Sequence, residues 1–406
     1  MGIPKTIKSF LNDSTWSIAG LLLMNVVAQF GIYPVWSAKM GNEAYGNVLY
    51  LISIMNILAI STGTSVNSAR MARSASRQTL NGNYGSALVV LSATVMLIGL
   101  TMYGFSVPEF NWLDTALFLI LIVLTMWRYY SDVQYRLTLN YPGYFSYYLA
   151  ISVGYLAGIA LFLITGLWQL ALIPGELAGL LYAYCYRSSI REGLFRRDKE
   201  YPEVFHLILT LTGSSIISQL IFNGDRLLLM YFAGGNAVTI YYLASLLGKT
   251  MSLITTPLNS VIIGYLARIK GNMTVRIMNI ASILALAAIL LGTAGCTVMS
   301  LIVIRILYPH IFSLVRPYFL VANLAQVVYF VGNVVMTLLL RFAKAKYQFT
   351  VNVLYACVFV VFCIPTTYFW GVSGFATGIL MSNITKLLTG IFLGYRTAIR
   401  SRNEQG

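Results

Sequence analysis

The chain has 406 residues, 58% of them hydrophobic and only 10% charged, with a mean hydropathy of +0.76 and a formal net charge of +15. Soluble domains are about 45–50% apolar and about 25% charged, so this composition excludes a soluble fold. Apolar runs of about 20 residues recur to the C-terminus, and no alternating barrel-type segments occur, so membrane-spanning helices are the expected structure.

The N-terminal MGIPKTIKSFLNDST is short and weakly basic. No small-residue cleavage site follows the first apolar run, so that run is expected to be a permanent span rather than a signal peptide. In chain order about twelve spans are predicted by length and hydropathy: 16–38, 45–67, 86–107, 113–133, 144–165, 168–186, 208–233, 237–264, 277–304, 312–340, 348–369 and 372–395. An interruption is expected in the sixth at Pro174 and Gly175. The connections are short, the longest being 187–207, YRSSIREGLFRRDKEYPE in its basic part. That loop divides the spans six and six and points to an N-terminal lobe over 1–200, including the basic linker, and a C-terminal lobe over 201–406.

The basic residues are asymmetric. Lys5 and Lys8 precede the first span, and clusters follow or flank the ends of the even-numbered spans: Arg70, Arg73 and Arg77; Arg128 and Arg136, flanking the end of the fourth; Arg187 to Lys199; Arg268 to Arg276; Arg341 to Lys346; Arg396 to Arg402. These hold most of the 27 basic residues. By the positive-inside rule both termini are expected in the cytoplasm. The net charge is thus read as topology and attraction to anionic headgroups, with no nucleic-acid partner.

Lys39, Arg305 and Arg316 lie near outer span ends, where long stems snorkel. Arg226, Lys249 and Lys386 are deeper: at ~1.5 Å per residue Arg226 is ~11 Å in, and both lysines are ~20 Å in, near the midplane. A charge there costs about 2.5–3.5 kcal/mol or more and should face an interior or water. No acid lies one helical turn from either lysine, so a functional role is expected for both. Lys249, Ser252, Thr256 and Asn259 share one helical face, as do Asn383 and Lys386 on the twelfth span, and Asn323, Gln326, Asn333 and Thr337 stripe the tenth span. Such stripes either line a wet cavity or bond helices to one another. Tyr241 and Tyr242 open the eighth span above Lys249, where rings can stack on sugars. The tyrosine clusters WRYYSD, YPGYFSYY and YAYCYR are read as interfacial belts. Acids within spans are few; of these, Asp225 and Glu176 could each couple to a cation or neutralise an arginine. Cys185, Cys296, Cys357 and Cys363 lack metal-ligand spacing, so neither a metal nor another cofactor is expected. No Walker loop, zinc signature or serine elbow is present, so no enzyme is expected.

MGNEAYGNVLYLISI and AGGNAVTIYYLASLL lie about 193 residues apart and resemble one another, as in internally duplicated transporters. GDRLLLMYFAGG, the Tyr-Tyr-Leu-Ala-Ser start of the eighth span, Pro257-Leu258-Asn259, YPVWSAKMG and STGTSVNSAR together resemble the polysaccharide (O-antigen or capsule) flippase branch of the multidrug/oligosaccharidyl-lipid/polysaccharide exporter superfamily. The resemblance covers nearly the whole chain. It implies an all-α, MATE-like polytopic fold with two six-helix lobes in a V around a central cavity. It implies a cargo of undecaprenyl-diphosphate-linked oligosaccharide, translocated by alternating access at the bacterial inner membrane, with membrane lipid and other polysaccharide-assembly membrane proteins as partners. Carried over by position, Arg226, Lys249 and Lys386 become cavity cations and Arg70 a cation at the inner mouth. The first span departs from drug-exporting relatives: it has Asn25 and Gln29 but no carboxylate. The alternatives are a cation-coupled exporter of drugs or small molecules in the same superfamily, and a membrane enzyme of polysaccharide assembly.

Overall fold

The computed structural model describes residues 5–74, 80–106, 111–186, 195–251, 273–342 and 345–403. Asn259 and its predicted face-mates Ser252 and Thr256 lie outside the described residues, as do Pro257 and Leu258. Every regular element among the described residues is a helix. Helix α1 (Lys5–Val26) runs through a π-helical turn, Val27–Ile32, into α2 (Tyr33–Met40). After Gly41, α3 (Asn42–Met55) continues through a second π turn, Asn56–Ile60, into α4 (Ser61–Ser74). Then follow α5 (Asn81–Ser106), α6 (Trp112–Ser131), the short α7 (Val133–Leu137), α8 (Tyr141–Thr165) and α9 (Ile173–Cys185). The rest comprises α10 (Tyr201–Thr250), α11 (Val275–Leu307), the one-turn α12 (Phe312–Val315), α13 (Phe319–Phe342) and α14 (Ala345–Asn403).

Nine helices among the described residues are long and apolar enough to cross a membrane, consistent with a multi-pass membrane protein. Two of the nine, Tyr201–Thr250 and Thr350–Arg400, each run from one predicted span into the next. They are broken at Gly234 and Gly371, whose φ angles of 79° and 54° are left-handed. The predicted sixth span is shorter than expected. A 3-10 turn, Trp168–Ala171, precedes α9, and Pro174 sits in the first turn of that helix, where its missing N–H costs nothing. The break expected at Pro174 therefore falls just before it.

The internal echo has a backbone counterpart. Gly41 (φ 78°, ψ 169°) and Gly234 (φ 79°, ψ 178°) occupy equivalent places in the two repeated stretches and take nearly the same conformation. A side chain is disfavoured in that region, so both junctions turn on glycine.

The chain forms two compact units: Met1–Gly41 with Val48–Gly224, and Asn42–Asn47 with Asp225–Gly406. The first has its core around Phe118, Leu121, Ile122 and Met126, all fully buried. In it α8 and α9 approach closely because glycines face each other. A Cβ on Gly154 would meet the Gly175 Cα and the Pro174 carbonyl at 2.6 Å, and one on Gly158 would strike the Ala171 carbonyl. Small residues allow such approach between membrane helices, and it is what carries Glu176 of α9 to the side of α8. In the second unit Met278, Met336, Leu339 and Leu393 form one core cluster; Val328, Val335 and Leu387 form another.

At one end of the first unit the linker is strapped down. The Asn83 amide donates to Asp198 Oδ1 (2.6 Å) and its carbonyl accepts from the Asp198 backbone N–H (3.0 Å). Arg73 donates to Glu203 at 2.6 Å. The hydrogen bond from Asn83 holds the Asp198 carboxyl below its ordinary value, against a smaller opposing effect of desolvation. A lowered native value stabilises the strap fully above the unfolded value of about 4, and that contribution is lost as pH falls through the native value. Asn83→Ala is accordingly expected to increase proteolytic cutting of the 195–200 segment several-fold at pH 7. The wild-type strap should loosen only below about pH 4 and show no change between pH 5 and 8.

Candidate functional site

Each unit holds buried charged residues. In the first unit Arg128 of α6 donates through Nε to Glu176 Oε2 at 2.5 Å, and the Tyr155 hydroxyl donates to Glu176 Oε1 at 2.7 Å. Both charged side chains are 4% exposed or less. The Tyr147 hydroxyl donates to the Arg128 carbonyl (3.0 Å), and the guanidinium lies 4.1 Å from the Tyr129 ring. One turn along, Asp132 accepts from Asn67 (2.5 Å), Arg136 (3.0 Å), Tyr148 (3.2 Å) and Tyr144 (3.3 Å). Asp132 is thus satisfied by four donors, as a buried carboxylate must be.

These positions correct two expectations. Arg128 is not a rim charge: it is buried and paired with Glu176. Tyr130, Tyr144, Tyr147 and Tyr148 are not an interfacial belt but are at most 1% exposed, inside the first unit. Tyr184 and Tyr186 are exposed, as a belt would be. Arg70 is also buried, donating to the Tyr130 hydroxyl at 2.7 Å with its guanidinium 5.8 Å from both the Tyr84 and Tyr130 rings. Sequence reasoning missed Arg128, Asp132 and Tyr155. The available signal was the spacing of Arg128, Asp132 and Arg136, which repeats every four residues and so marks a single helical face.

In the second unit Lys249 donates to Asp225 Oδ2 at 2.5 Å. No acid lies one turn away on its own helix segment; the partner comes from the segment before Gly234, which sequence spacing cannot reveal. The Asp225 side chain is 3% exposed and that of Lys249 13%. Asp225 Oδ1 is buried and accepts no hydrogen bond among the described residues. Arg226 is half-buried with its guanidinium 4.7 Å from the Tyr242 ring. Tyr241 is fully buried edge-on to Phe375 at 4.8 Å.

Lys386 differs from Lys249. It is 7% exposed, donates to Asn333 Oδ1 at 2.7 Å, and holds its ammonium 4.6 Å from the Tyr329 ring and 5.0 Å from that of Tyr355. It forms no ion pair with a carboxylate among the described residues. Two ring faces and one amide oxygen stabilise the cation without neutralising it.

The asparagines act between helices. Asn323 accepts from the Gly248 N–H (2.9 Å) and donates to Ser300 Oγ and the Phe319 carbonyl, both at 2.9 Å. Asn383 donates to the Ala325 carbonyl at 2.8 Å. Both are buried, as is Gln326. Lys39, Arg305 and Arg316 are exposed, as snorkelling side chains are.

No protein-family model matches the chain, and no curated protein matches it. Solved structures do. A lipid II flippase MurJ in an inward closed conformation superposes with a TM-score of 0.71 at 14% identity, over 97% of this chain and 90% of that one. An inward-facing multidrug resistance MATE family transporter of the MOP superfamily gives 0.69 at 15% identity, over 96% of this chain and 100% of that one. A MOP superfamily transporter from Pyrococcus furiosus gives 0.62 at 14% identity, over 97% and 96%. The chain therefore has the all-α fold of the MurJ and MATE transporter structures, over nearly its whole length.

Proposed function

We propose that the chain is a flippase that moves an undecaprenyl-diphosphate-linked oligosaccharide, an O-antigen or capsule repeat unit, across the bacterial inner membrane by alternating access. The fold shared with transporters, one of them a lipid II flippase, supports the reaction class. The observation that carries the cargo is Lys386: a buried ammonium, seated on Tyr329 and Tyr355, with no carboxylate partner among the described residues. Uncompensated charge at that depth is costly, and an anionic ligand in a low-dielectric site repays it. A diphosphate supplies that charge. Lys249 and Arg226 are the further cargo cations. Lys249 exchanges Asp225 for phosphate oxygen, and the tyrosines offer ring faces to sugars. The polyprenyl tail stays in lipid.

The test is translocation of a fluorescent undecaprenyl-diphosphate oligosaccharide by protein reconstituted in proteoliposomes. Movement above that of empty liposomes supports the reading, and its absence with well-folded protein removes it. One observation favours a second reading, a cation-coupled exporter. Asp225 Oδ1 is a buried acceptor with no donor among the described residues, and Asn383 Oδ1 is another. Uptake driven by an imposed sodium or proton gradient, abolished in Asp225→Asn, would favour that reading.

A further inference from the structure

In the second unit the end of α10 and the middle of α11 do not close on one another. A cavity of about 290 Å³ lies between them, walled by Leu247 and Met251 on one side and by Gly292, Gly295 and Met299 on the other. Thr250 and Cys296 complete the wall, and both turn their donors to backbone. Thr250 Oγ1 donates to the Leu246 carbonyl at 2.8 Å, and Cys296 Sγ to the Leu247 carbonyl at 3.9 Å. A buried water needs about two to four polar partners, so this lining favours an apolar guest.

The two glycines differ. A Cβ on Gly292 would meet Val327 at 3.1 Å, so packing against α13 keeps that position bare. A Cβ on Gly295 would meet nothing within 4 Å. Glycine inside a helix is unfavourable relative to alanine, and no neighbour demands it here. What the missing side chain does is leave a notch open in α11.

Depth and surroundings identify the guest. Gly292–Met299 lies roughly 12–22 Å before the end of α11 at Leu307, and Leu247–Met251 roughly 20–25 Å beyond the break at Gly234. Both levels fall inside a hydrocarbon core of about 30 Å. Beside the cavity Leu291, Val298 and Ile302 are exposed, as is Met299 on its wall, so this face of α11 meets lipid. A helix is about 10 Å across and too thick for the space. Apolar cavities of about 150 Å³ take benzene-sized guests, so this one has room for the last several carbons of a single chain. The acyl chains of bilayer phospholipids end at this depth. Lipid is already as apolar as leucine, so the gain is contact: a lining without a partner forfeits its dispersion attraction. The flexible thioethers of Met251 and Met299 adapt to such a guest.

We propose that this cavity is a lipid site, taking the terminal segment of a phospholipid acyl chain that enters from the bilayer and fills the notch at Gly295 between α10 and α11. Filled, it supports the last turn of α10, which carries Lys249. The site stands apart from the cargo reading, because it needs only a helix pair in a membrane.

The test uses the full chain in nanodiscs of phosphatidylglycerol and phosphatidylethanolamine, doped with a phospholipid whose acyl chain ends in a diazirine. Photolysis expels nitrogen, the carbene inserts into the nearest side chain, and peptide mass spectrometry reads where. Cys296 is buried and reports the cavity; exposed Leu291 reports bulk lipid. Both are expected to label in the wild type. Gly295→Leu fills the notch without a clash at Cβ, and should lower labelling of Cys296 at least about tenfold, since a packed site resists further volume. Leu291 should label as before, and the unfolding temperature should not fall. Met299→Trp, which narrows the mouth, should act in the same direction. Gly213→Leu, at another glycine whose Cβ meets open space, should change neither signal. No labelling of Cys296 in the wild type would overturn the site, as would equal labelling in Gly295→Leu. A polyprenyl phosphate bearing the same diazirine should label Cys296 less than the phospholipid at equal mole fraction; stronger labelling would overturn the assignment to a phospholipid chain. Translocation plays no part in these readings, so their failure leaves the cargo assay untouched.

Discussion

Replacing Glu176 with glutamine is expected to destabilise the protein by about 3–5 kcal/mol, the cost of leaving one buried charge without its partner. The reason is local. Arg128 meets Glu176 through Nε at 2.5 Å where neither side chain is more than 4% exposed. Its Nη1 is buried without an acceptor among the described residues, so no second carboxylate takes over that nitrogen. Glutamine keeps an oxygen for the Tyr155 hydroxyl but cannot neutralise the guanidinium. Thermal unfolding in detergent should show the loss, and Arg128→Met should show a comparable one. The double variant Arg128→Met with Glu176→Leu removes both charges. It is expected to recover most of the stability, because an apolar pair of similar volume replaces a costly one. Equal instability in the double variant would mean that shape rather than charge holds α6, α8 and α9 together.

If Lys386 binds the cargo as proposed, Lys386→Gln is expected to lower translocation at least about tenfold while leaving the folded protein as stable as wild type, since a charge-assisted bond to the anion is lost but the amide can still meet Asn333. Lys386→Arg, which keeps the charge, should retain part of the activity. Lys249→Gln should behave differently. It leaves Asp225 buried without its ammonium at 2.5 Å, so it should lose stability as well as transport. Pairing it with Asp225→Asn should restore stability without restoring transport. Translocation in proteoliposomes and unfolding temperature, measured on the same preparations, check all four. Wild-type transport by Lys386→Gln would remove that lysine from the cargo's path.

Much of the fold was legible in the sequence. Composition alone demanded membrane helices, because a chain so apolar has no soluble alternative. The repeated MGNEA and AGGNA stretches lie at junctions between predicted spans, and Gly41 and Gly234 turn the chain there with matching torsions. Lys386 stood out because a lone ammonium within an apolar run is conspicuous. The sixth span was less legible. Pro174 reads as a break, yet proline is equally at home in a first turn, and only the preceding 3-10 turn decides between these.

The pairing of charges was not legible. Lys249 has no acid nearby in sequence, and its partner Asp225 is supplied by the other side of a glycine break. Arg128 reads as a rim charge by its place near the end of a span, yet Glu176 reaches it because Gly154, Gly158 and Gly175 let α8 and α9 close together. By itself the sequence determined that the chain must be helical, must lie in a membrane, and must satisfy every deep charge, since hydrocarbon offers no solvation. Only the tertiary structure decided which charge satisfies which. That choice depends on distances between helices, and those are set by packing among residues far apart in the chain.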